Sequence, residues 1–182
     1  PVGDDSGGFR VVGSRPLLST TFLTVEQLDL LSPDGRALQR SVVRHPGAVA
    51  MVPILDDAVI LIRQYRAPVG QDLLEIPAGK LDIPGEDPET AAARELAEEI
   101  GYRPGTLELV ATFFTGPGFT DERMWTYLAT DLAPVPVEPA GVEEEHSEVV
   151  TIPLAEVPGM IARREIEDGK TLVGLLIALQ RA

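Results

Sequence analysis

The chain has 182 residues, enough for one domain with a single substantial core, and its 15 basic against 29 acidic side chains give a net charge of −14. That balance argues against nucleic acid as a partner, because phosphate backbones are held by Lys and Arg. With no cysteine, disulfides and thiolate metal sites are excluded. There is also no apolar run of the roughly 18 residues a membrane span needs and no basic-then-apolar leader, so a cytoplasmic protein that avoids membranes is expected.

In chain order, residues 1–8 are small and polar and read as a loose tail. Alternation on either side of Ser32-Pro33-Asp34-Gly35 predicts a hairpin with strands near 21–31 and 36–44. A second hairpin is predicted at 47–55 and 58–65, turning at Asp56-Asp57, and a short strand at 73–76 leads into Pro77-Ala78-Gly79. A helix follows. Asp87 is its natural N-cap and Pro88 fits its first position, where a missing N–H costs nothing. Ala92, Leu96 and Ile100 form the buried stripe, Gly101 suits the residue after the last turn, and Pro104 prevents continuation. Strands at 107–114 and 123–130 bracket a Gly- and Pro-containing loop at 115–122. A Pro-rich stretch at 133–139 precedes the acidic run Glu143-Glu144-Glu145, then a strand at 148–152 and helices at 154–167 and 171–181, separated by Asp168-Gly169. Strands interleaved with helices indicate an α/β chain with helices on both sides of a mixed sheet. Lys80 and Lys170 are its only lysines.

Glu95, Glu98 and Glu99 crowd one helix with no lysine between them. Residues three and four apart on a helix are neighbours, and like charges so placed repel. Open water relieves this on an ordinary acidic surface; the alternative is a hard divalent cation, which selects clustered carboxylate oxygens. One helical turn separates Glu95 from Glu99, so one ion can touch both.

Residues 79–102, GKLDIPGEDPETAAARELAEEIGY, resemble the Nudix box. Arg94-Glu95-Leu96-Ala97-Glu98-Glu99-Ile100-Gly101-Tyr102 matches the end of that motif, with Glu86 correctly placed ahead of Arg94 and Gly79 at the start. One departure is visible: six residues, not five, separate Gly79 from Glu86, an insertion in a turn-rich loop where extra length is cheap. The runs His45-Pro46-Gly47-Ala48-Val49, Arg63-Gln64-Tyr65-Arg66, Leu74-Glu75-Ile76-Pro77-Ala78-Gly79 and Gly116-Pro117-Gly118-Phe119-Thr120-Asp121-Glu122 resemble the ADP-ribose pyrophosphatase subfamily. Pro117, sixteen residues after Gly101, is its most specific mark.

The resemblance implies an α/β/α sandwich with an N-terminal antiparallel strand extension. Residues 1–45 would be a tail and strands exchanged between subunits of a homodimer, and 46–182 the hydrolase domain. It further implies Mg²⁺- or Mn²⁺-dependent hydrolysis of ADP-ribose to AMP and ribose 5-phosphate. Glu95 and Glu99 would be the principal metal ligands, with Glu98 beside them and the Ala78 carbonyl contributing. Arg94 would orient a box carboxylate, Glu86 or Glu98; a plainer reading is a helix salt bridge worth about 0.3–0.5 kcal/mol. The general base would be a glutamate on a later loop, where Glu145 aligns best and Glu143 next; His146 has a suitable unperturbed pKa, but the resemblance favours carboxylate. Arg66 and Arg63, near the end of one strand and expected on one face, would hold the diphosphate. Glu75 would meet ribose or base, or balance Arg66. Gly116, Pro117 and Gly118 would let backbone approach the ligand, with Phe119 available to stack; otherwise this is a simple hairpin loop. His45, with no evident partner, reads as structural. Two alternatives stay open: another nucleoside diphosphate sugar or a nucleoside triphosphate as substrate, and an inactive ligand-binding module, against which the retained box glutamates argue.

Overall fold

The structure is a computed structural model and describes residues 8–137 and 146–181. The chain divides into two compact units, one made of residues up to Gly47 with Phe114–Arg123, the other of Ala48–Phe113 with the residues from Met124 onward.

The first unit is built on a three-stranded antiparallel sheet in the order β1 (Arg10–Ser19), β2 (Thr24–Leu31), β3 (Ala37–Arg44). The β2–β3 hairpin turns where the sequence predicts: Gly35 takes a φ of 82° and its N–H donates to the Ser32 carbonyl at 2.9 Å. No strand is predicted at 10–19, and one forms there despite Gly13 and Pro16. The sheet accommodates both through register shifts between Val11 and Gly13 and between Pro16 and Leu18. The 116–122 loop is clipped to β3, with the Val43 N–H on the Phe119 carbonyl at 2.7 Å and the Asp121 N–H on the Val43 carbonyl at 3.3 Å.

The second unit carries a seven-stranded mixed sheet. Its path runs β12 (Glu148–Pro153), β5 (Ala58–Arg66), β4 (Ala48–Leu55), β10 (Arg123–Thr130), β9 (Thr106–Phe114), with β6 (Gln71–Glu75) on β5 and β7 (Ala78–Lys80) on β4. β4 pairs parallel with β10 and antiparallel with β5 and β7. Period two sorts the two central strands onto two cores. Val49 and Met51 of β4, with Ile60 and Ile62 of β5, meet Ala91, Ala92, Leu96 and Ile100 of helix α1 (Pro88–Ile100). Ala50 and Val52, with Val59 and Leu61, meet Val157 and Met160 of α2 (Val157–Ala162) and Leu175 and Ala178 of α3 (Gly169–Leu179). Helices therefore cover both faces. Each fully buried aliphatic side chain here contributes about 1.5–3 kcal/mol. Gly174 lets α3 lie close, since a Cβ there would fall 2.8 Å from Val52 Cγ2.

A continuous helix over 154–167 does not form. A 3₁₀ turn at Leu154–Glu156 passes into the six-residue α2. The N–H groups of Arg163, Arg164 and Glu165 then fold back onto the Gly159, Ile161 and Met160 carbonyls, satisfying the helix end, with Arg164 at a φ of 62°. β8 (Tyr102–Arg103) and β11 (Ala133–Pro134) make a small separate ladder. Among the described residues no helix is long and apolar enough to cross a membrane.

Candidate active site

Local chemistry sets the frame of α1. The Asp87 carboxylate accepts the N–H groups of Glu89 and Thr90, each at 3.1 Å, and Pro88 opens the helix. Gly101 closes it at a φ of 71°, its N–H donating to the Ala97 carbonyl at 3.2 Å. Because Leu96 and Ile100 must face the sheet, the residues flanking them are carried under it as well. Glu95 and Glu99 are each only 8% exposed.

Both carboxylates descend onto β7. Glu99 Oε2 accepts the Ala78 N–H at 3.0 Å. Glu95 lies over Gly79 so closely that a Cβ added there would fall 1.9 Å from its Cδ. The glycine at the start of the box is thus required by contact with the first carboxylate of the helix. Arg94 gathers the others: Nε and Nη2 each reach Glu86 at 3.0 Å, while Nη1 lies 2.8 Å from Glu95 Oε1 and 2.9 Å from Glu98 Oε2. Arg94 therefore holds both carboxylates offered for it by the sequence, and Glu95 besides. The hydrogen bond to Arg94 holds the Glu86 carboxyl below its usual range, and the Arg94 guanidinium is correspondingly held charged, first by Glu86 and then by Glu95 and Glu98.

The donor set fits a hard divalent cation: two nearly buried carboxylates converge on consecutive backbone residues, with Glu98 one turn from Arg94. Among the described residues no three acidic or imidazole groups already converge as a cluster that could hold a metal ion. Arg94 Nη1 lies between Glu95 and Glu98 instead.

Arg66 and Arg63 do not share a face. They are three residues apart, an odd offset on a strand of period two, which places their side chains on opposite sides. Arg63 is exposed, with Nε 3.6 Å from Glu148 Oε2. Arg66 is instead clamped by the buried Glu75, Nε to Oε1 at 2.7 Å and Nη2 to Oε2 at 2.6 Å. The hydrogen bonds to Glu75 first, and the Glu99 carboxylate after them, raise the pKa of Arg66, so this guanidinium lies in the field of the box. Burial pushes the Glu75 carboxyl up, but Arg66 and Lys170 more than offset that and leave it below its ordinary value. Of the two roles open to Glu75, its contacts are those of balancing Arg66, joined by Lys170. The sequence reading overlooks Lys170 here; its only signal is a rare lysine directly after a helix-starting Asp-Gly.

In the first unit, Phe119 is 62% exposed at the tip of the clipped loop, and the Gly116 carbonyl accepts the Phe119 and Thr120 N–H groups at 3.0 and 2.9 Å. Asp121 anchors the loop through the Arg44 guanidinium and the His45 N–H, both at 3.0 Å. His45 does have partners: Nδ1 accepts the Gly47 N–H at 3.1 Å, and its ring meets Phe22 edge-on at 5.8 Å. Glu143 and Glu145, the base candidates, lie outside the described residues.

A match to the NUDIX domain spans residues 44–173. The chain is 40% identical over 150 residues to the ADP-ribose pyrophosphatase of Bacillus subtilis (strain 168), covering 82% of this chain and 80% of that protein. It is 37% identical over 169 residues to the ADP-ribose pyrophosphatase of Mycobacterium tuberculosis (strain ATCC 25618 / H37Rv), covering 92% and 82%. A crystal structure of an ADP compounds hydrolase superposes with a TM-score of 0.83 at 26% identity, over 98% of this chain and 96% of that one. The carboxylate helix seated on its glycine strand and the match over most of the chain agree: this chain belongs to the NUDIX family.

Proposed function

We propose that the protein hydrolyses the diphosphate bond of ADP-ribose, releasing AMP and ribose 5-phosphate, with Mg²⁺ or Mn²⁺ held by Glu95, Glu99, Glu98 and the Ala78 carbonyl. The seating of Glu95 on Gly79 and of Glu99 on the Ala78 N–H carries this reading, together with the similarity to ADP-ribose pyrophosphatases. A bound divalent cation supplies Lewis acidity and lowers the pKa of water. Glu86, fixed to Arg94 by two hydrogen bonds, holds that guanidinium against the helix, and Arg94 in turn keeps Glu95 and Glu98 from splaying apart. Arg66 binds the diphosphate, with Arg63 a weaker candidate on the opposite face. Glu145 or Glu143 positions the attacking water, and within the first unit Gly116, Pro117, Gly118 and Phe119 are the residues proposed to approach a ligand.

Residues 1–45 are proposed as a segment exchanged within a homodimer. Val11, Val12, Leu17 and Leu18 of β1 are each at least half exposed, an apolar strip of the kind a second chain covers.

Product analysis on ADP-ribose, GDP-mannose, FAD, NADH and ATP, each with and without Mg²⁺, tests the activity. AMP and ribose 5-phosphate should appear fastest from ADP-ribose and only with metal. Faster metal-dependent cleavage of another substrate would overturn the substrate, and no cleavage of any would favour a binding module. A solution mass equal to one chain in the active enzyme would sink the exchanged dimer.

A further inference from the structure

A second charged cluster joins strand β6 to the start of α3. Glu75, 1% exposed, is shared by two cations: Arg66 through its two-pronged contact, and the Lys170 ammonium. Asp168 flanks the ammonium at 3.0 Å and is itself engaged by the Thr171 N–H at 2.9 Å and the Thr171 hydroxyl at 2.5 Å. That same hydroxyl accepts the Ile76 N–H at 2.9 Å. Residues 75 and 76 are thus buckled to residues 170 and 171, which fixes where the ammonium can lie.

We propose that Lys170 is a positioning residue for substrate binding: by holding the Glu75 carboxylate in place, it lets Glu75 aim the Arg66 guanidinium. The inference rests on the reading of Arg66 as the diphosphate ligand. A guanidinium closed two-pronged onto one carboxylate is a neutral pair. With Lys170 on that carboxylate and Asp168 on Lys170 the four charges balance, and what the ammonium supplies is position: it fixes the carboxylate whose bidentate grip sets the guanidinium plane. Exposure divides the roles: the Lys170 side chain is 10% exposed and Arg66 34%, and among the described residues Arg66 Nη1 has no hydrogen-bond partner. Arg66 is the group offered outward; Lys170 works from behind.

The test measures KM and kcat for ADP-ribose, with Mg²⁺, in the whole chain and in R66A, K170Q, K170R, E75Q and K170Q/E75Q. K170Q should raise KM about fivefold with kcat within about twofold, and K170R should restore most of the loss. On the E75Q background K170Q should add nothing, because the lysine acts through the carboxylate. If K170Q does not fold, K170M, which keeps the aliphatic stem, supplies the same comparison. A full K170Q penalty persisting in E75Q would mean that the ammonium meets substrate itself and would overturn the proposal. So would an unchanged KM in K170Q where R66A raises it. An unchanged KM in R66A would remove the reading of Arg66, and this inference with it.

Discussion

Two arginines of the second unit are held by carboxylates, and the two clusters differ in how the charges are shared. Arg94 faces Glu86, Glu95 and Glu98, so three carboxylates share one guanidinium. Arg66 faces Glu75 together with Lys170, and Asp168 closes the cluster, so cations and carboxylates balance. In the first cluster the carboxylates are brought together by packing, because Leu96 and Ile100 cannot reach the core without carrying Glu95 and Glu99 along. In the second, burial tolerates the charge because every member has an opposite neighbour. Excess charge invites an ion, whereas balanced charge holds a side chain in place.

Substitutions can break this contrast. The largest effect is expected for E99Q, which keeps size and removes a charge from the acidic cluster. Turnover should fall by at least about 100-fold, and near-native kcat would refute the metal-site assignment. G79A comes next. The added methyl must push the Glu95 carboxylate away, so kcat/KM should drop about 10–100-fold while the thermal midpoint changes little. An active G79A enzyme would show that Glu95 need not sit where the structure puts it.

The third substitution probes the balanced cluster through stability, leaving turnover aside. E75Q should cost about 1.5–3 kcal/mol at neutral pH, since the hydrogen bonds to two cations lose their charged acceptor. The Glu75 carboxyl is depressed in the folded state, so its contribution is fully present above the unfolded value of 4.5 and is lost as pH falls through the folded one. Urea titrations from pH 7 to pH 3 should therefore show wild type and E75Q converging below about pH 4.5. Parallel curves throughout would mean that Glu75 is not the titrating member.

The box helix was legible from the sequence because its signals are local: Asp87 and Gly101 cap it, and the apolar stripe fixes which glutamates go inside. The two hairpins were legible for the same reason, their turns being written in Ser32-Pro33-Asp34-Gly35 and Asp56-Asp57. β1 was not, since Gly13 and Pro16 argue against a strand and only the bulged pairing with β2 overrides them. Nor was the early end of α2, which depends on Arg164 entering the left-handed region. The opposite faces of Arg63 and Arg66 were legible, since an offset of three on a strand already separates them, whereas Lys170 finds its partner 95 residues away, where no local pattern can announce it.

That separation bears on how the chain is made. Arg66 lies nine residues from Glu75, so the two can pair as soon as that hairpin leaves the ribosome. Lys170 follows 95 residues later, a delay of about 5–20 s at ordinary rates of synthesis. For that interval the nascent sheet carries its buried carboxylate on one cation alone, and α3 completes the charge balance in the same event that covers the second face of the sheet.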